Sequence, residues 1–201
     1  MFEKSYLLVA IIYLMVRFAF TRQLDELGPY ASYILEAVVC AICVLLFGVK
    51  KFVGLFPIKR LDLKLTALSL VSGLAVYKAA YALEIPIAFQ MQALETIVFL
   101  LVVAPILEEL IFRFVLWQPI ARFTKSPVAA LVATALLFSY AHLHAIWFVP
   151  PEFHAFVYYQ TTYTLFLGLL CGFSLYKSNS LLSSMVLHFS FNLGFYLATR
   201  I

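Results

Sequence analysis

About seven long apolar runs constrain this chain more than any other feature. A helix that crosses a bilayer needs about 20 mostly apolar residues. The runs cover residues 6–20, 30–49, 66–83, 93–123, 127–144, 155–176 and 181–199. Hydrocarbon offers the backbone no water to bond, so runs of this length are expected to be helices, and the short alternating strands of an outer-membrane barrel are absent. The expectation is an all-α, polytopic transmembrane helical bundle of about seven spans, forming a single membrane domain over residues 1–201. Composition closes the other routes. Hydrophobic residues make up 65% of the chain, charged residues only 12%, and mean hydropathy is +1.01. Twenty-four charged side chains cannot clothe a soluble globule of 201 residues. The same scarcity excludes a disordered chain and a nucleic-acid-binding module. The first run is expected to be a retained span and not a signal peptide, because residues 1–4 are hardly basic and no small-x-small site follows.

The basic residues orient the spans. With the N-terminus inside, the inner segments hold Lys4, Lys50, Lys51, Lys59, Arg60, Lys64, Arg122, Lys125 and Lys177, and the outer segments hold Arg22 and Arg200. This bias predicts a cytoplasmic N-terminus. The basic loop between Lys50 and Lys64 is expected to rest against anionic lipid head groups.

Ionisable residues inside a bilayer are functional candidates by default. The spans hold Arg17, Glu36, Lys78, Glu108, Glu109 and Arg113. The first three lie near helix ends, where long side chains reach the interface. Glu108, Glu109 and Arg113 are concentrated in six residues. Glu109 and Arg113 are four apart and can pair on one helix face, while Glu108 is rotated by about 100° and lacks that partner. A carboxylate in a poorly hydrated site beside a second carboxylate suits general acid or base chemistry. A buried structural triad is the alternative reading of the same three residues.

Later spans add polar groups that hydrocarbon does not tolerate unpaired. His142 ends the run Phe138-Ser-Tyr-Ala-His142, and His188 and Asn192 share a face of the last span. Glu108 lies 15 residues before Phe123, and His142 lies 15 residues after Pro127. Both therefore stand about 22 Å from their shared turn and can be level on antiparallel helices. His188, 11 residues beyond Lys177, comes within about one turn of that depth. Two Glu and two His could also hold a metal, since zinc accepts such ligands. Arg113 already supplies positive charge, no HExxH pair is present, and no metal or cofactor is expected. His144, His154 and Glu152 are read as solvated. Cys40, Cys43 and Cys171, an odd number inside apolar runs, are read as core- or lipid-facing.

Taken in order on successive helices, Glu108-Glu109-x-x-x-Arg113, Phe138-x-x-x-His142 and His188-x-x-x-Asn192 resemble the CPBP family of CAAX prenyl endopeptidases and bacteriocin-processing or immunity proteins. The resemblance spans residues 105–196, the expected catalytic core. It implies an intramembrane glutamic-type endopeptidase acting on a membrane-embedded or lipid-anchored protein or peptide, with a C-terminal, sorting-tail or CAAX-like segment as substrate. In that reading Glu108 is the general base, aided by His142; His188 and Asn192 stabilise the oxyanion; and Glu109, Arg113 and Phe138 support them. A non-catalytic immunity or scaffold protein and a metal-dependent membrane protease are the alternatives. Many relatives carry Gly after the Arg. Phe114 stands there in this chain and is expected to narrow the space beside the site. The small size resembles a prokaryotic member, in the inner cell membrane.

Overall fold

The computed structural model of the chain describes residues 2–28, 30–57 and 61–201. Lys59, Arg60 and the side chain of Lys4 lie outside the described residues, so most of the inner basic set, but not all of it, can be located. Among the described residues every regular element is a helix. They are α1 (Phe2–Ala19), α2 (Thr21–Leu27), α3 (Ala31–Phe47), α4 (Val49–Val53), α5 (Leu63–Ala82), α6 (Leu94–Val98), α7 (Ala104–Glu109), α8 (Trp117–Thr124), α9 (Pro127–Leu143), α10 (His154–Ser178) and α11 (Leu181–Ala198). Residues 94–124 run as one helical rod, because π-helical stretches at Phe99–Val103 and Leu110–Leu116 join α6, α7 and α8. The protein is an all-α helical bundle. Leu63–Ala82, Pro127–Trp147 and Leu181–Ala198 are long and apolar enough to cross a membrane, and Ser5–Ala19 and Ala31–Phe47 are shorter apolar helices.

Local chemistry starts and stops these helices. Asp62, Ser126 and Ser180 each accept backbone N–H bonds at the first turn of α5, α9 and α11. Pro127 pre-sets the first turn of α9. Lys125 and Asn179 adopt left-handed backbone and turn the chain back on itself. Large apolar side chains such as Leu8, Met15, Leu45, Leu68 and Phe166 are exposed on the outer faces.

Packing in lipid relies on close backbone approach, since tails are as apolar as the side chains. The α5–α11 contact shows this. The two helices start at the same end, where Lys177 meets Asp62 at 2.9 Å and the Leu181 N–H donates to the Leu55 carbonyl. Ser69 Oγ donates to the Leu187 carbonyl at 2.7 Å. A Cβ at Gly73 would lie 1.9 Å from the Phe191 carbonyl oxygen, and one at Gly194 would lie 2.0 Å from that of Leu70. Only glycine permits that crossing. On α10, Gly168 and Gly172 give similar access to α9. Behind this core, Phe114 is enclosed by Tyr6, Phe47 and Phe52.

Candidate active site

Pro105 shapes the helix that carries the two glutamates. Proline has no N–H and its ring crowds the preceding turn. The chain responds with the π-helical stretch Phe99–Val103, in which the Ala104 N–H donates to the Phe99 carbonyl, five residues back. In that register the next acceptor, the Leu100 carbonyl, would take the N–H that Pro105 lacks. Asn192 Nδ2 donates to it from α11 at 2.8 Å. A second π-helical stretch follows Glu109, and such wide turns often mark functional segments.

The adjacent carboxylates meet different surroundings. Glu109 is buried, with 1% exposure. Its Oε1 accepts from His188 Nδ1 at 3.0 Å, and its Oε2 accepts a short hydrogen bond from Ser184 Oγ and lies 3.3 Å from Arg113 Nε. Arg113 Nη2 donates to the Gly168 carbonyl at 3.0 Å, and its guanidinium sits over the Phe138 ring. A buried charge is tolerable only with such compensation. Glu108, turned to the next face, accepts no hydrogen bond from any described residue. Its nearest charge partner is His188 Nε2, at 3.6 Å, and 26% of its side chain is exposed.

His142 comes from α9. Its Nδ1 donates to the Phe138 carbonyl at 2.9 Å, which leaves Nε2 an acceptor in the neutral ring. The Phe138 ring stands edge-on to both imidazoles, with centroids 4.8 Å from His142 and 5.7 Å from His188. Glu108, His142 and Phe138 lie between two cavities. One, of about 280 Å³, is also lined by Tyr13, Arg17, Glu36 and Gln160. The other, of about 100 Å³, is also lined by His188, Asn192, Gln160 and Tyr163.

The structure thus brings together Glu108, Glu109, Arg113, Phe138, His142, His188 and Asn192, all singled out in the sequence. Three readings change. Phe114 packs away from the cavities, against α1, α3 and α4, because six residues past Glu108 it falls on a different face of the rod. Glu36 does not reach for the interface: it is buried, accepts from Tyr13 at 3.1 Å and pairs with Arg17 at 3.6 Å. His144 is wedged among Phe18, Tyr140 and Phe148 instead of being freely solvated.

Sequence reasoning missed Ser184, Gly168 and Gln160. Ser184 lies four residues before His188 on the same helix face, and that spacing was the available signal. A possible metal-holding trio also differs from expectation. Glu109, Cys171 and His188 present ligand atoms within 4.8 Å of one another, and neither Glu108 nor His142 belongs to it. A cation there would lie beside the Arg113 guanidinium and compete with Ser184 and His188 for the same carboxylate.

Neither a curated protein nor a solved structure matches the chain. One family model does, the type II CAAX prenyl endopeptidase Rce1-like family, over residues 90–194. That stretch is just over half of the chain and contains Glu108, His142, His188 and Asn192. The chain belongs to the type II CAAX prenyl endopeptidase Rce1-like family, whose members are membrane-embedded proteases.

Proposed function

We propose that the protein is a glutamic-type intramembrane endopeptidase in which Glu108 is the general base. The observation that carries this is the contrast between neighbours: Glu109 is consumed by Arg113, Ser184 and His188, while the Glu108 carboxylate faces both cavities with His142 beside it. A water held between Glu108 and His142 Nε2 gives a proton to Glu108 and attacks the scissile carbonyl carbon. The carbonyl oxygen becomes an oxyanion. Collapse of the tetrahedral intermediate breaks the C–N bond as the proton passes from Glu108 to the leaving nitrogen. Positioned general-base catalysis of this kind is worth about 10²–10⁴ in rate.

His188 and Asn192 serve the oxyanion. His188 Nδ1 donates to Glu109, so Nε2 donates to the oxyanion only from the doubly protonated ring, the form this role requires, and Asn192 keeps one Nδ2 hydrogen beyond its bond to Leu100. Glu109, Arg113 and Phe138 hold His188 and His142 in place. The substrate is a prenylated or otherwise membrane-associated protein or peptide, processed near its C-terminus. The basic residues Lys50, Lys51, Lys64, Arg122, Lys125 and Lys177 gather at the bundle end opposite the larger cavity, which supports a cytoplasmic N-terminus in a prokaryotic inner membrane.

The test uses purified protein in liposomes with an S-farnesylated fluorogenic CAAX peptide, with and without chelator. Cleavage that resists chelator and vanishes in Glu108→Gln is expected. Cleavage abolished by chelator, or retained by Glu108→Gln, overturns the mechanism.

A further inference from the structure

Arg17 stands where the motifs do not reach. It projects from α1 at the wall shared by the 280 Å³ cavity and a neighbouring one of about 180 Å³. The first holds Glu108 and His142. The second is a polar vestibule with Thr21, Ser32, Tyr33 and His144, at the end of the bundle away from the basic residues. Two buried groups hold Arg17 in place. Its Nε faces Glu36 Oε1 at 3.6 Å, and Tyr13 donates to the same oxygen at 3.1 Å. The Nη groups of Arg17 make no hydrogen bond to a described residue, and 23% of the side chain is open. A guanidinium presents five donors in a planar fork suited to a carboxylate. One edge is anchored and the other faces the cavities.

A solvated arginine at a helix end would not need this arrangement. Glu36 and Tyr13 are a buried acid and a buried phenol on two helices, and their effect is to aim the fork along the cavity wall. A chain lying with its scissile bond at Glu108 has Arg17 as the cation it meets on the way to the vestibule.

We infer that Arg17 is the anion-binding residue of the site and takes a carboxylate of the bound chain, either the free C-terminus or an acidic side chain close to it. The inference rests on the endopeptidase reading above. Arg17 then sets how far from the carboxylate the chain is cut. Glu36 and Tyr13 are positioning residues that act through it.

The test compares three S-farnesylated fluorescent CAAX peptides with full-length protein in nanodiscs: a free acid, its C-terminal amide, and an amide ending in Glu. For the wild type, amidation is expected to raise KM about tenfold, as loss of one charge-assisted hydrogen bond does. If the amide ending in Glu regains affinity, the side chain can supply the carboxylate; if it does not, the terminus is the ligand. Arg17→Gln is expected to raise KM for the free acid about tenfold and to erase the difference between acid and amide, with Arg17→Lys intermediate. Fluorescence anisotropy with the same peptides reads binding without turnover. Should no peptide be cleaved, the endopeptidase reading fails, but a tenfold acid-to-amide gap in Kd that disappears in Arg17→Gln still supports the carboxylate site. A wild type indifferent to amidation in both measurements overturns the inference. So does an Arg17→Gln protein that keeps the discrimination. Loss of a dependence on anionic lipid with discrimination intact assigns Arg17 to a lipid phosphate and overturns it as well.

Discussion

The two walls that flank Glu108 are built on different principles. The α7–α11 wall is closed: Glu109, Arg113, Ser184, His188 and the Gly168 carbonyl engage one another and each is buried, although Arg113 Nε and Nη1 find no hydrogen-bond partner among the described residues. The α1–α3 wall is half-committed: Tyr13 and Glu36 are buried, but Arg17 keeps donors open to the cavity. Glu108 belongs to the first wall by sequence and to the second by behaviour. A closed network fixes geometry, and a group left outside it is free to act on something else.

The sharpest way to break this comparison is to exchange the fates of the two glutamates. Glu108→Gln is expected to lower kcat by about 10²–10⁴ while leaving thermal unfolding in detergent within a few degrees of wild type. Glu109→Gln strips a buried arginine of its counter-charge, and removing one partner of a buried pair destabilises by about 3–5 kcal/mol. Its unfolding midpoint is expected to collapse before any rate can be compared. If both variants fold equally well, the distinction between the two carboxylates is wrong.

A smaller effect separates positioning from chemistry at Asn192. Asn192→Ala leaves the Leu100 carbonyl without its donor, at about 1–3 kcal/mol. Pro105→Ala returns a backbone N–H to that turn. The double variant is therefore expected to unfold at a higher temperature than Asn192→Ala alone, and additive losses would show that Asn192 does not mend the proline turn.

The smallest effect lies outside both walls, at the bundle end. The Lys177 ammonium beside Asp62, aided by the Leu65 and Lys64 backbone N–H groups, holds the Asp62 carboxyl below its usual range. A lowered acid contributes its stability above the unfolded pKa and loses it as pH falls through the folded one. Lys177→Gln is thus expected to be nearly neutral at pH 7 in high salt, where an exposed bridge is screened. Any gap from wild type in unfolding midpoint should close only as pH drops below the ordinary carboxylate range.

The charged members of the closed wall were legible in the sequence, its Ser184 and Gly168 were not, and neither was the open wall. Charges in a greasy run stand out, so Glu108, Glu109 and Arg113 announced themselves, and helical spacing linked His188 with Asn192. The proline within 93–123 was visible, but its consequence was not: whether a proline kinks, breaks or widens a helix depends on what neighbouring helices donate. Arg17 and Glu36 lie 19 residues apart on separate helices. Each alone looked like a side chain near an interface, and only the packing of α1 on α3 turns them into a pair. Gly73 and Gly194 were equally silent, because a small residue has meaning only against the backbone it admits.

The bond between Asn192 and Leu100 joins residues 92 positions apart. The wide turn ahead of Glu108 is therefore started by Pro105 on its own helix and completed by a donor from α11. Without α11 the Leu100 carbonyl loses that donor. The proposed base acquires its final setting only when α11 docks. Completing the proposed site thus depends on a contact between two helices far apart in the chain.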